Sequence, residues 1–286
     1  MNDTPQTEEA SAEQQREQQR EQKREQHVAA ADALGRVNGA LELQAALLAL
    51  MLPPGSQRGA RAWAAEAEDT PAMQALFDHA GHLPGNARLP WFELLLSRMR
   101  RQPLAVRQML LEATRRVMQA RGSVRPIDRL HWLAMRQRLG GNAAVKVKNP
   151  ASVEISELAG ETLQAIASYT AFLSRMVPGE APEAAAPGAG PAWYDSVMAP
   201  WQSSGEVPAC QSPDADALVS ALQELQVLPW MQRPVLVRGW FDAAVAHSVH
   251  RRLGDGPADA LRLSCTLLDS PVPPALAKHF VETPNP

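Results

Sequence analysis

The chain has 286 residues, of which 45% are apolar and only 5% aromatic, so its core must be built mainly from leucine, alanine, valine and methionine. Two cysteines exclude a disulfide scaffold, and the longest uninterrupted apolar run, residues 45–52, is far shorter than the roughly 20 residues that span a bilayer. The net charge of −3 conceals a basic stretch between two acidic ones, because residues 98–148 hold 13 Lys/Arg against 2 Asp/Glu. These properties, with no apolar signal core, predict a soluble, cytoplasmic protein.

The abundance of alanine and leucine and the lack of long β-branched runs predict an all-α protein, in which the 24 prolines separate the helices. Residues 1–27 repeat the motif EQQR, and no apolar residue after Ala12 could anchor them to a core. We therefore expect a disordered charged tail, since nothing offsets the entropy that ordering would cost.

A first helical domain is expected over residues 28–148. Thr70 has the side chain of an N-cap, and Pro103 opens a long helix whose apolar stripe includes Met109. The predicted helices, in chain order, occupy residues 28–52, 59–68, 70–79, 89–101, 103–121 and 126–139.

A second helical domain is expected over residues 149–286. Its loop 178–213 contains the low-complexity stretch PGEAPEAAAPGAGP, which offers little to bury and predicts a flexible connection. Asp214 is suited to cap the helix that follows the loop. The predicted helices occupy residues 158–177, 214–228, 229–246 and 258–268.

The two halves repeat each other at a shift of 126 residues. The shift superimposes a proline, an arginine and an apolar stripe, and each half then holds a long helix, a polar turn and a shorter helix. This predicts two related multi-helix units in tandem, the alternative being a chance match between amphipathic helices. The matched pairs are Pro103 with Pro229, Arg107 with Arg233, Leu110 with Leu236, and Ala120 with Ala246.

Residues 89–140 begin LPWFELLLSRMRRQPLAVRQMLLEATRRVMQA and continue RGSVRPIDRLHWLAMRQRLG. This stretch resembles a TerB-like helical unit from the cytosolic C-terminal region of bacterial HtpX-type membrane zinc metallopeptidases. The second half resembles the same region further on, in ALQELQVLPWMQRPVLVRGWFDAAVAHS and GPADALRLSCTLLDSPVPPAL. The resemblance covers roughly residues 30–280, and the closing D-S-P-V-P-P is its most specific part.

The resemblance implies a cytosolic accessory module whose partner is a membrane metallopeptidase, in the same polypeptide or in trans. The chain departs from those peptidases in lacking H-E-x-x-H, so the catalytic domain is absent from it. TerB-like domains carry acidic residues in the turn after the long helix, whereas here that turn is the basic Arg121-Gly122-Ser123, which argues against a cation site there.

No complete catalytic or metal-binding set is apparent, and we expect neither an enzyme nor a cofactor. His247, His250 and Asp255 have a spacing that is weakly suggestive of a metal site, but no further ligand is evident. Cys265 is expected to be a small buried apolar residue, and Cys210 has no basic neighbour in sequence that would activate it.

Six of the seven tryptophans fall into two groups. Trp91, Trp132, Trp230 and Trp240 lie in apolar helices and are predicted to be core residues. Trp193 and Trp201 lie in the loop region, where we expect them to pin the loop to the core, the alternative being a binding patch.

The basic stretch is the strongest functional signal. It is consistent with a solvated or internally paired face, with an acidic protein or anionic membrane partner, or with nucleic acid. We expect a non-catalytic interaction module, cytoplasmic or peripheral at the inner membrane face, and the alternative is an arginine-rich nucleic-acid-binding protein. The expected binding residues are Arg98, Arg100, Arg101, Arg107, Arg115, Arg116, Arg121, Arg125 and Arg129.

Overall fold

The computed structural model describes residues 4–67, 70–140, 160–178, 188–200 and 207–283, with side chains from residue 13 onward. Within these ranges the chain is helical or irregular and contains no strand, which confirms the all-α prediction. The chain divides into two compact units. The first unit comprises residues 1–121 and 281–286, and the second comprises residues 122–280.

The first unit is built around α2, which packs against α4 and α5. The guanidinium of Arg88 caps the C-terminus of α2, because its Nη2 donates to the carbonyl oxygens of Ala49, Leu50 and Leu52 at 3.0, 3.0 and 2.8 Å. These are carbonyl groups that a helix leaves open at its C-terminus. The helices of this unit are α1 (Thr4–Gly35), α2 (Ala40–Met51), α3 (Gln57–Ala64), α4 (Pro71–His82), α5 (Gly85–Met99) and α6 (Leu104–Ala120).

α1 reaches far beyond the core of the first unit. Its backbone is helical from Thr4, yet the side chains of residues 13–25 are all exposed, and burial begins at Ala30 and Leu34. Glutamate and arginine recur three or four residues apart in this exposed part, a spacing that supports a helix without a core. The structure thus gives the expected tail a helical backbone, and its disorder in solution stays a prediction.

The second unit is held together by aromatic side chains that share buried hydrogen bonds. Trp240 donates Nε1 to the hydroxyl of Thr170 at 3.0 Å, and Trp193 donates Nε1 to the carbonyl oxygen of Trp240 at 3.2 Å. The hydroxyls of Tyr169 and Ser264 lie 3.0 Å apart. The helices of this unit are α7 (Pro126–Leu139), α8 (Gly160–Leu173), α9 (Ala189–Met198), α10 (Ala215–Val227), α11 (Gln232–His247), α12 (Asp255–Leu267) and α13 (Pro274–Ala277).

The compact units and the predicted domains divide the chain at different places. The expected boundary after residue 148 lies outside the described residues, whereas the structure separates the units after Arg121. The cause is α7, whose buried face packs against α12. Since α7 and α12 are counterparts in the predicted repeat, the repeat does not coincide with the compact units, and its tandem arrangement stays a prediction.

The expected flexible loop 178–213 contains a helix, which corrects that prediction for residues 189–198. α9 forms because Trp193, Tyr194, Val197 and Met198 are all buried in the second unit. Trp193 therefore pins this region to the core, as expected, while Trp201 lies outside the described residues.

Two predicted N-caps are confirmed. The hydroxyl of Thr70 accepts a hydrogen bond from the backbone N–H of Met73 at 3.3 Å, and the carboxylate of Asp214 accepts one from Ala217 at 2.8 Å. Both side chains satisfy a backbone donor that the first helical turn leaves open.

Candidate interaction surface

The predicted basic surface is divided between the two units. Seven of its nine arginines lie in the first unit, at the end of α5, on α6 and just after it, and two lie in the second unit at the start of α7. The seven are Arg98, Arg100, Arg101, Arg107, Arg115, Arg116 and Arg121, and the two are Arg125 and Arg129.

Arg98 stabilises the fold of the first unit. Its Nη1 donates to the carbonyl oxygens of Gly35 and Val37 at 2.9 and 2.8 Å, where α1 ends. The guanidinium thereby caps the C-terminus of α1 and is favoured there by the helix dipole. Arg98 therefore has a structural role in the first unit, and its place in the binding surface stays a prediction.

Arg116 is fixed in place by an acidic residue of the same unit. Its Nε and Nη2 each lie 2.7 Å from a carboxylate oxygen of Glu66, in a two-point contact. The hydrogen bonds with Glu66 raise the pKa of Arg116, and the charge of Glu112 on the same helix acts in the same direction. The side chain of Arg116 still keeps 55% of its surface exposed.

The outer face of α6 and the turn before it combine arginine with apolar side chains. Arg100, Arg101 and Arg115 are exposed, and Leu104 and Met109 keep 44% and 56% of their surface accessible. Amphipathic surfaces of this kind, with apolar side chains beside guanidinium groups, are typical of sites that bind proteins.

Met109 corrects the predicted apolar stripe of this helix. α6 turns Leu110 and Val117 into the core, and this orientation leaves Met109 on the exposed side. Arg107 and Arg121 are half-buried at the edges of the helix. The apolar pattern correctly predicted that Met109 lies on a helix, but it predicted the buried side, whereas Met109 lies on the exposed side.

Arg125 starts α7 in the second unit. Its Nη2 lies 2.6 Å from the carboxylate of Asp128, which also accepts the backbone N–H of Arg125 at 3.0 Å. Asp128 is buried, so the pair stabilises the first turn of the helix. Arg129, the last of the predicted binding residues, is half-buried.

The residues weakly suggestive of a metal site are not brought together. His247 ends α11, and His250 lies in a 3-10 turn at Val249–Arg251, where both side chains are exposed. The carboxylate of Asp255 instead contacts the Nε2 of His279 at 3.0 Å. Sequence reasoning did not single out His279, because it lies 24 residues from its partner.

Across the described part of the chain, no group of three or more His, Cys, Asp or Glu residues is arranged to hold a metal ion. In the same part, none of the helices combines the length and hydropathy that a membrane crossing requires. Cys265 is buried, as expected, and Cys210 is half-buried with its Sγ 3.4 Å from the hydroxyl of Ser174.

An apolar patch on the second unit was missed by the sequence analysis. Trp230, Met231 and Val235, at the start of α11, keep 77%, 64% and 55% of their surface exposed. The prediction that Trp230 is a core residue is wrong, because it precedes the helix, in the turn that follows Pro229. A signal was present, since Trp230, Met231 and Val235 place apolar residues on more than one side of the start of α11.

The exposed apolar residues occupy corresponding places in the first turns of α6 and α11 or just before them. At the shift of 126 residues Leu104 corresponds to Trp230, and Met109 corresponds to Val235. All four are exposed, although they lie in different units. The two helices of the predicted repeat thus share an outward apolar face as well as an inward one.

No protein-family model, no curated protein and no solved structure matches this chain.

Proposed function

We propose that the chain is a non-catalytic interaction module that binds a protein partner through the outer faces of α6 and α11. The observation that carries this proposal is the exposure of Met109 and Val235 at corresponding places on two helices, with Leu104 and Trp230 also exposed where these helices begin. Exposed apolar groups lose contact with water only when another surface covers them. Tryptophan and methionine are also enriched at protein interfaces.

The charge around α6 favours a partner that presents carboxylates beside apolar side chains. Arg100, Arg101 and Arg115 are exposed on α6 or just before it, as are Leu104 and Met109, so such a partner would gain ion pairs in addition to apolar burial. On the resemblance described above, a membrane metallopeptidase at the cytosolic face of a membrane is the first partner class to test.

Nucleic acid has less support than a protein partner. Arg98 and Arg125 each contact groups of their own unit, and Glu112 lies on the exposed face of α6. The carboxylate of Glu112, together with the use of several guanidinium groups within the fold, weakens the attraction of this surface for phosphate.

The proposal is tested by affinity capture from source cells with a matched pair of variants. Leu104→Ser with Met109→Ser removes the apolar groups of the α6 face, whereas Val28→Ser with Leu41→Ser removes two similarly exposed apolar groups elsewhere in the first unit. We expect the wild-type chain and the second variant to retain the same protein at moderate salt, and the first variant to lose it.

Two results would contradict the proposal. One is retention of the partner by the variant changed at positions 104 and 109. The other is a chain that captures no protein but binds anionic vesicles or DNA with an affinity that falls steeply as salt rises.

A further inference from the structure

α6 and α11 carry two stripes of four exposed residues with opposite orders of charge. Successive residues of the α6 stripe are four, three and four positions apart in the sequence. The α11 stripe has the same spacing, and each of its residues lies 126 positions after its α6 counterpart. The α6 stripe consists of Ala105, Met109, Glu112 and Arg116, and the α11 stripe consists of Met231, Val235, Arg238 and Asp242.

Each stripe begins with two apolar residues and ends with two opposite charges. On α6 the acidic Glu112 precedes the basic Arg116, whereas on α11 the basic Arg238 precedes the acidic Asp242. A spacing of three and four residues places side chains on one helix face, along which a second helix can pack.

We propose that the α6 stripe of one copy of this chain packs against the α11 stripe of a second copy, with the two helices parallel. This proposal rests on the proposed function of the two faces and names a partner for them. In that register Met109 meets Val235, and each charge of one stripe meets the opposite charge of the other. Apolar burial and charge complementarity then coincide in one arrangement.

An antiparallel pair of α11 stripes joins Arg238 to Asp242 and Val235 to Val245, but it leaves the α6 face uncovered, and Glu112→Arg would not weaken it. Three further pairings satisfy only part of these requirements. Two α6 stripes in parallel bring Glu112 to Glu112, and an antiparallel pair of α6 and α11 brings Glu112 to Asp242. Two antiparallel α6 stripes pair Glu112 with Arg116 but leave Met109 opposite the polar Gln119. Like charges that face each other oppose association.

Arg116 is prepared for such a contact. Glu66 fixes one edge of its guanidinium, while more than half of the side chain remains exposed. A side chain that is already ordered loses less conformational entropy when Asp242 of a second copy approaches it.

The test exchanges charges between copies of the full chain and measures association by sedimentation equilibrium. Glu112→Arg places two cations opposite each other, and Arg238→Glu places two anions opposite each other. We expect each variant alone to associate at least about tenfold more weakly than wild type. An equimolar mixture of the two variants should recover association, because every contact between unlike copies then joins opposite charges.

Glu17→Arg and Arg58→Glu are the matched controls, since they make the same changes in net charge at exposed positions outside the stripes. Both should associate as wild type does, and circular dichroism should report the same helical content for all variants. A wild-type chain that stays monomeric, or a mixture that associates no better than its components, would overturn the proposal. If that chain still captures its partner through Leu104 and Met109, only self-association fails and the proposed function stands.

Discussion

The guanidinium of Arg233 donates from Nη1 to the carbonyl oxygen of Leu268 at 3.0 Å, joining the start of α11 to the end of α12. Its other nitrogens donate to the carbonyl oxygens of Gln226 and Leu228 at 2.6 and 2.8 Å, where α10 ends. One side chain thus satisfies open carbonyl groups at the C-termini of two helices. Arg88 has a comparable role in the first unit, so several arginines of this chain stabilise the fold.

Replacing Arg233 by methionine should destabilise the second unit. The change keeps most of the apolar stem but leaves three carbonyl oxygens without their charged donor, at an expected cost of about 3 kcal/mol in the free energy of unfolding. Urea unfolding measures this cost. Arg252→Met, at an exposed position of the same unit, should change the free energy by less than about 0.5 kcal/mol. Equal losses in the two variants would mean that Arg233 does not cap these helices.

Substitutions of Arg98 and Arg100 should differ in their effect on stability, because Arg98 has a structural role and Arg100 lies on the surface. Arg98→Met removes the C-cap of α1 and should lower the free energy of unfolding by about 2 kcal/mol. Arg100→Met, only two residues away and exposed, should leave stability unchanged while weakening the capture of an acidic partner. Thermal and urea unfolding, followed by the capture assay, distinguish the two. Stability losses in the reverse order would contradict the assignment.

The fold class was predictable from composition and helical periodicity, and Thr70 and Asp214 were recognisable caps. The division into compact units after Arg121 was not, because nothing local in the sequence of α7 indicates that its buried face packs against α12. α9 was missed because low-complexity sequence surrounds its buried aromatic residues.

The candidate surface was predicted in part. The arginine-rich stretch was evident as a run of charge, yet Arg98 and Arg116 are engaged by Val37 and Glu66, contacts that span more than 45 residues. Periodicity predicted the helix that contains Met109. Whether Met109 is buried, however, depends on how α6 is rotated about its axis when it packs against neighbouring helices. Tryptophan is usually buried, and the residue type of Trp230 therefore predicted a core position. Trp230 is exposed because it lies in the turn between Pro229 and α11.

The two tryptophans of the α11 region should differ sharply in their effect on stability. Trp240 is fully buried and donates to Thr170, so Trp240→Ala should cost about 4 kcal/mol of unfolding free energy. Trp230→Ala removes a side chain that is 77% exposed and should change that value by less than about 0.5 kcal/mol. Urea unfolding followed by far-UV circular dichroism is the measurement. A large loss at Trp230 would show that it is part of the core.

The chain has two tyrosines, which makes their ionisation directly measurable. Burial raises the pKa of Tyr194 to about 12 and raises the pKa of Tyr169 further. The unfolded state, whose tyrosines ionise near pH 10, then releases protons before the folded state does, so stability should fall as pH rises above about 10. Tyrosinate absorbance at 295 nm should be nearly absent from the folded chain at pH 10.5 and should appear on adding urea. Normal titration of the folded chain would contradict the burial of both phenols.

The most direct test of an interaction module is to place a photo-crosslinking amino acid at single positions and irradiate the source cells. Positions 109 and 235 lie on the proposed faces, and position 41 is a similarly exposed apolar site on α2. We predict protein adducts, identified by mass spectrometry, at positions 109 and 235 and none at position 41. Adducts that form equally at position 41, or nucleic-acid adducts alone at position 109, would contradict the proposal that the outer faces of α6 and α11 bind protein.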